Sequence, residues 1–248
     1  MSRHQEELPP VANNPPGSTL GGTLLFAVRR VLDLQMASVF RHIRPWLQER
    51  NGCILEVGCG AQPYRHLLPD RCRYTGLDWD RSEDHFNYRV PDTVYYSGEH
   101  FPFGDASFDS LLHTEVLEHI YRAPQFLAEC RRVLRPGGVM LFTVPFQARY
   151  HYQPHDYCRY TPAALERLLQ EAGFTSMEIL PRGSDITVAS YKCVSVIYRW
   201  LQGGMTGIIP GLLSAPAILP LLMAGHLSLR FPLGSTDDCL GYTVTASP

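Results

Sequence analysis

Apolar positions recur at helical spacing along residues 20–49, through Leu24, Leu25, Val28, Val31, Leu32, Met36, Val39 and Phe40. They predict a helix that ends at Asn51-Gly52. The pattern then changes to short apolar runs separated by turn residues. CILEV (53–57), RYTGLD (73–78), TVYYS (93–97), FDSLLH (108–113) and VMLFTV (139–144) read as five strands. QPYRHLL, after the first strand, reads as a helix start with Pro63 in its first turn. APQFLAECRRVL reads as a helix that stops at RPGG. TPAALERLLQEAGF carries Thr161 as N-cap, Pro162 at the first helical position and Gly173 as the stop. SMEIL (176–180) and GYTVTA (241–246) add two strands. Strands alternating with helices predict an α/β fold, a mostly parallel sheet with helices on both faces. Ligands of such sheets sit beyond the carboxyl ends of the strands, so residues just after each strand are the functional candidates.

A length of 248 residues fits one domain, assigned to 19–248, and 45% hydrophobic content is enough for a core. Residues 1–18 are polar and proline-rich and read as a disordered tail without a secretory signal core. The formal charge of −2 provides no global basic field, which disfavours nucleic acid as a partner. Seven cysteines, an odd number with no C-x-x-C pair, point to free thiols and a cytoplasmic location.

The first strand runs into E-V-G-C-G-A-Q-P-Y, with Glu56, Gly58 and Gly60. Glycines there permit a tight turn and close approach of backbone to a ligand. The dinucleotide fingerprint is absent, because it requires glycine where Pro63 stands. The second strand ends in Asp78, placed to accept ribose hydroxyls, followed by Trp79, which can pack on a base. The structural alternative for these residues is a plain turn, a loop carboxylate and a core filler.

ILEVGCG, YTGLDWD, FPFGDASFDSLLHTEVLEHI and RRVLRPGGVMLFTVP, in that order and spacing, resemble the successive motifs of class I S-adenosylmethionine-dependent methyltransferases, and most of all the type 11 small-molecule group. The resemblance runs from about residue 50 to 180. It implies a Rossmann-like sheet of seven strands, with the last antiparallel and slotted between the fifth and sixth. It implies that Glu56, Gly58, Cys59 and Gly60 line the methionine part of S-adenosyl-L-methionine, that Asp78 holds the ribose and that Trp79 flanks the adenine. It places Ser97, Gly98, Glu99 and His100 at the adenine edge, and has His113 face the methionine moiety through its backbone carbonyl. Gln62 stands where many relatives have a third glycine, and is expected to lean over the cofactor. HDYCRYTPAALERLLQEAGF is similar to a subgroup associated with bacterial surface polysaccharides, which suggests a glycan or glycolipid acceptor.

Transfer of a methyl from a sulfonium needs alignment first, and a base only where the acceptor must lose a proton. His113, Glu115, His119 and His155 are the catalytic candidates. In HTEVLEHI, a helical run would put Glu115, Glu118 and His119 on one face. Three readings follow: a shaped pocket floor, a direct base, or a divalent metal site completed by His151 or His155. The metal reading is not the favoured one. E-x-x-E-H also resembles metal-using ubiquinone-pathway and small-RNA 2′-O-methyltransferases, so an RNA 2′-O-methyltransferase is the first alternative. A non-catalytic cofactor-binding module that recruits a partner or membrane is the second. HYQPHDYCRY reads as a substrate lid or as an Asp156–Arg159 pair with packed aromatics.

No Asp, Glu, Lys or Arg lies between Arg199 and Arg230. Residues 195–235 therefore read as a hydrophobic helical insertion. Pro210, Pro216 and Pro220 oppose one straight span, and the last strand must rejoin the sheet. The segment is read as a buried insertion, a dimer face or a peripheral membrane contact through 207–231. The residues specify no oligomeric state. Together these features predict O-methylation of a small-molecule, glycan or glycolipid acceptor, in the cytoplasm or at the inner face of the membrane.

Overall fold

The computed structural model describes residues 13–82 and 89–248 of the chain. Residues 1–12 of the expected tail lie outside the described residues. Two compact units form. Among the described residues, one comprises residues 13–16, 42–82, 89–180 and 242–248, and the other residues 17–41 and 181–241.

The first unit is built on the predicted strands. β1 (Gly52–Val57), β2 (Cys72–Trp79), β3 (Thr93–Tyr96), β4 (Phe108–Thr114), β5 (Leu134–Pro145), β6 (Ser176–Arg182) and β7 (Gly241–Ser247) form one sheet in the order β3-β2-β1-β4-β5-β7-β6. β1 pairs in parallel with β2 and β4, β2 with β3, and β4 with β5. The sheet is mixed only at the end where β7 slots between β5 and β6. The central strands are apolar on both faces, as a sheet covered on both sides requires: Ile54, Leu55, Leu77, Leu111 and Leu112 are buried. α3 (Ala123–Val133) and α4 (Pro162–Glu171) pack Leu127, Val133, Leu165 and Leu169 into that core. The Thr161 side chain accepts from Ala164 N as an N-cap, and Gly173 adopts φ +87° at the other end of α4.

Four local readings change. The predicted single helix over 20–49 is two, α1 (Leu20–Leu32) and α2 (Leu34–Gln48). Asp33 separates them in an extended conformation, and its carboxylate accepts from Met36 N at 3.1 Å, which makes it an N-cap rather than a helical residue. QPYRHLL forms only a 3₁₀ turn, Arg65–Leu67. Gln62 sits at φ +56°, and Leu68, ahead of Pro69, is extended, so no helix can propagate. β5 starts five residues before the predicted Val139: Leu134 pairs with Phe108, and the RPGG segment is absorbed as an irregularity before Val139 meets Ser110. EVLEHI is not α-helical. Glu115 has φ +52° and only Leu117–His119 make a 3₁₀ turn, so Glu115, Glu118 and His119 do not share a helical face.

In the second unit, α5 (Asp185–Gln202), α6 (Gly204–Ser214) and α7 (Ile218–Arg230) follow β6. Its core joins Leu34, Val188, Leu222 and Leu240. Gly225 lets α7 approach closely, since a Cβ there would lie 2.5 Å from Leu34 Cδ1. The Thr187 and Ser228 hydroxyls bond each other at 2.6 Å. The unit is wider than the 195–235 insertion marked by hydropathy, because α1 and the start of α2 belong to it. Much of its apolar surface is not covered. Leu20, Leu24 and Leu25 of α1, Ile209, Leu212 and Leu213 of α6, and Leu219 and Met223 of α7 are exposed, Leu213 by 78%. Thr206–Arg230 is a helical run long and apolar enough to cross a membrane by length and composition, and little of it is buried. A single crossing there would separate β7 from the sheet it completes.

Candidate active site

A cavity of about 690 Å³ opens in the first unit past the carboxyl ends of β1 to β4. That volume lies within the range of small-molecule sites, about 300–1,000 Å³. The turn after β1 forms one wall. Gly58 (φ +64°) and Gly60 (φ +52°) adopt backbone that side chains resist, and a Cβ on Gly58 would lie 2.5 Å from Val116 Cγ2. Asp78, at the end of β2, is held rigidly. One carboxylate oxygen accepts from Gly60 N at 3.0 Å and the other from Trp79 N at 2.7 Å. Trp79 lines the cavity and meets the His155 ring edge-on at 5.5 Å. Gly98 (φ +95°), Glu99 and His100, after β3, complete that side. Glu129 supports this loop: it accepts from Phe101 N at 2.8 Å and pairs with Arg132 at 2.7 Å.

The opposite wall comes from β4's exit and the segment after β5. Thr114, Glu115, Val116 and His119 line the cavity, together with His151, Tyr152 and His155. The Leu117–His119 turn is clamped to that segment. Glu118 O accepts from Tyr157 N at 2.8 Å, and His119 Nδ1 lies 2.6 Å from His155 O. Asp156 pairs with Arg159 at 2.7 Å and accepts from His151 N at 3.0 Å. Burial would raise the Asp156 carboxyl, but its bonds to Arg159 and His151 bring it below the ordinary range. The segment therefore holds the Asp156–Arg159 pair and also contributes to the cavity wall.

Several candidates stand elsewhere. The His113 ring is fully buried, stacked on Phe142 at 4.5 Å and edge-on to Phe126 at 5.3 Å. Burial lowers its pKa to about 3, so it is neutral and does not reach the cavity as a base. Gln62 is also buried away from the cavity. Its amide donates to Thr93 Oγ1 at 3.0 Å and accepts from Arg65 at 2.9 Å. Glu56 is buried beneath the turn and accepts from Tyr74 OH at 2.6 Å. Burial, and secondarily Asp78, lifts its pKa to about 8 against the lowering effect of Tyr74. Cys59 lines the cavity, and burial, together with Glu56 and Asp78, pushes its thiol far up, so it is not a thiolate. Glu118 is completely buried, with its carboxyl raised well above the usual range by burial and then by Glu115. Burial takes His119 down to about 4, against the raising bond to the His155 carbonyl. Asn13, Tyr64 and Gln125 join the lining with no sequence signal of their own, because tertiary packing brings them there.

Residues 55–142 match the model of a family described as methyltransferase domain. Over those residues the chain is similar to class I S-adenosylmethionine-dependent methyltransferases. It is 35% identical over 131 residues to a Mycolicibacterium smegmatis protein named "Probable S-adenosylmethionine-dependent methyltransferase", covering 49% of this chain and 51% of that one. It is 36% identical over 162 residues to the fatty-acid O-methyltransferase of the same organism, covering 60% and 58%. The chain thus spans about half the length of these curated relatives. Its fold is similar to that of an S-adenosylmethionine-dependent methyltransferase from Archaeoglobus fulgidus, with a TM-score of 0.54 at 13% identity over 90% of this chain and 99% of that one. The domain's residues fit the cofactor of the family: a fixed acid for a ribose, an aromatic beside it and a glycine turn that a Cβ would block.

Proposed function

We propose that the protein is a methyltransferase that uses S-adenosyl-L-methionine to methylate an oxygen of a lipid-like small molecule, glycolipids included. The observation that carries the cofactor reading is Asp78, held by two backbone N–H groups at the rim of a cavity that Trp79, Gly58 and Gly60 also line. When bound, S-adenosylmethionine supplies an electrophilic methyl on a positively charged sulfur. The chain's residues then serve mainly to align donor and acceptor, an effect that can account for about 7–11 kcal/mol of a barrier. A hydroxyl acceptor must also lose a proton. The imidazoles of His119, His151 and His155 at the cavity wall are the groups that can take it.

Two observations support an apolar acceptor. One relative is a fatty-acid O-methyltransferase. The second unit exposes the apolar faces of α1, α6 and α7, and carries seven Lys and Arg against four Asp and Glu, whereas the whole chain is at −2. Such a surface suits the cytoplasmic, anionic face of a membrane, where lipid acceptors reside.

Calorimetry with S-adenosylmethionine and methyl-label transfer to fatty acids, glycolipids, glycans and RNA form the test. Asp78→Ala removes charge-assisted bonds to two hydroxyls, about 2–4 kcal/mol, and should weaken cofactor binding about 30- to 1,000-fold. Unchanged affinity refutes the ribose assignment. Label entering RNA but no lipid refutes the acceptor class.

A further inference from the structure

The Glu118 carboxyl is enclosed completely, and neither of its oxygens has a hydrogen-bond partner among the described residues. Buried carboxyls are normally bonded, and one left bare calls for a ligand or a functional reason. Arg159, a cation that acts on Glu118 through its charge, is paired with Asp156. Instead, Glu118 faces two imidazoles. His119 Nε2 lies 3.6 Å from Glu118 Oε1, and the ligand atoms of Glu118, His119 and His151 all fall within 4.8 Å of one another.

The tautomers follow from the partners. His119 Nδ1 contacts the His155 carbonyl, at 2.6 Å, and a carbonyl cannot donate. His151 Nδ1 contacts the Arg149 carbonyl at 2.9 Å and Asp156 Oδ2 at 3.1 Å, again acceptors. With acceptors at Nδ1, the neutral form of each ring carries its proton there and presents the Nε2 lone pair. Outer oxygens that bind Nδ1–H and aim Nε2 are how metal-bound histidines are oriented.

We propose that Glu118, His119 and His151 bind one divalent transition-metal ion at the cavity wall. Two imidazole nitrogens and one carboxylate oxygen suit zinc, iron(II), manganese or cobalt rather than calcium or magnesium. Donor atoms about 2.1 Å from a shared ion lie about 3–4 Å apart, so the cluster needs to contract by only about 1 Å. Three protein ligands leave positions open, and His119 and His151 both face the cavity. An acceptor oxygen bound there would be oriented and made more acidic, and His155 would remain as the imidazole for its proton. Glu115 is not part of the cluster among the described residues, which alters the Glu115–Glu118–His119 set read from HTEVLEHI. Binding of the ion does not depend on the identity of the acceptor.

The test titrates Co²⁺ into the full chain and follows its visible absorption. One equivalent should bind with the spectrum of a site of low coordination number. Glu118→Gln, His119→Ala and His151→Ala should each lower affinity 100-fold or more. His100→Ala removes a histidine that lines the same cavity but is highly exposed, and should change affinity less than 2-fold. Unchanged affinity in Glu118→Gln and His151→Ala overturns the proposal. Zinc-edge anomalous diffraction from unmutated, zinc-soaked crystals tests it without any variant. A peak between the three side chains supports it, and peaks only at surface histidines overturn it.

Discussion

Glu56 makes the stability of the sheet unit depend on pH in a direction opposite to most carboxylates. Its folded pKa of about 8 exceeds the ordinary 4.5, so the folded chain keeps a proton that the unfolded chain releases. The stability held by the neutral form is complete below about pH 4.5 and is lost as pH rises toward 8, at about 1.4 kcal/mol per pH unit. The group is fully buried, so solvent does not screen the effect. Between pH 5 and 8 the loss amounts to about 4 kcal/mol. Glu56→Gln replaces the protonated acid by its neutral isostere and leaves Tyr74 OH an oxygen to bond. The difference in stability between variant and parent should therefore grow with pH, by about 4 kcal/mol from pH 5 to pH 8. With a urea m-value near 3 kcal/mol/M, that is about 1 M in midpoint. Trp46 and Trp79 lie in the sheet unit and Trp200 in the other, so urea titrations of parent and variant in a Trp200→Phe background follow the relevant unit by fluorescence. Two midpoint-versus-pH curves that run parallel between pH 5 and 8 would refute the reasoning.

His113→Leu removes two buried ring nitrogens with no partner among the described residues, and urea melts at pH 7 should show the variant at least as stable as the parent. With a folded pKa of about 3 against 6.5, the parent loses about 1.4 kcal/mol per unit as pH falls below 6.5, and the variant should keep it. Gly58→Ala forces an L-residue to φ +64° against Val116, so thermal melts should show a loss of at least about 1–2 kcal/mol. Adding Val116→Ala should relieve the clash but not the backbone strain. Leu212→Glu with Leu213→Glu alters only exposed positions of α6 and should leave the melting temperature unchanged while abolishing co-sedimentation with anionic vesicles. Failure of the parent to sediment with vesicles removes the membrane reading.

What the sequence revealed, and what it hid, divides along physical lines. Buried parallel strands are continuous apolar runs, so β1 to β4 were legible to within a residue or two, and the glycine turn and Asp78 could be placed from the rule for where such sheets bind ligands. Helix interruptions were harder, because they depend on a single residue choosing a cap over a helical bond. Asp33 does so, and no hydrophobic period registers it. The face a strand residue takes was harder still. In β4, Thr114 lines the cavity while His113, one residue earlier, turns into the core between Phe126 and Phe142. A one-residue difference in a period of two reverses a side chain's environment, so proximity to the site in sequence cannot separate a base from a core histidine.

The same limit explains why the helical reading of HTEVLEHI misled in detail. Its helical reading required three residues on one face, but Glu115 leaves β4 in the left-handed region, with its N–H still bonded to Thr143 O. That geometry turns Glu115 into the cavity lining, while Glu118 is buried behind it. His151, one of whose ring nitrogens comes within 4.8 Å of the Glu118 carboxylate, lies 33 residues later on a segment whose course is fixed by Asp156, Arg159 and the bond from Tyr157 N. Local spacing in HTEVLEHI carries no trace of that segment. The chemistry of this wall is therefore a property of two loops held together. A substitution at Asp156, which touches neither the cofactor pocket nor Glu118 by hydrogen bond, should disturb the site by releasing His151 rather than by removing a ligand.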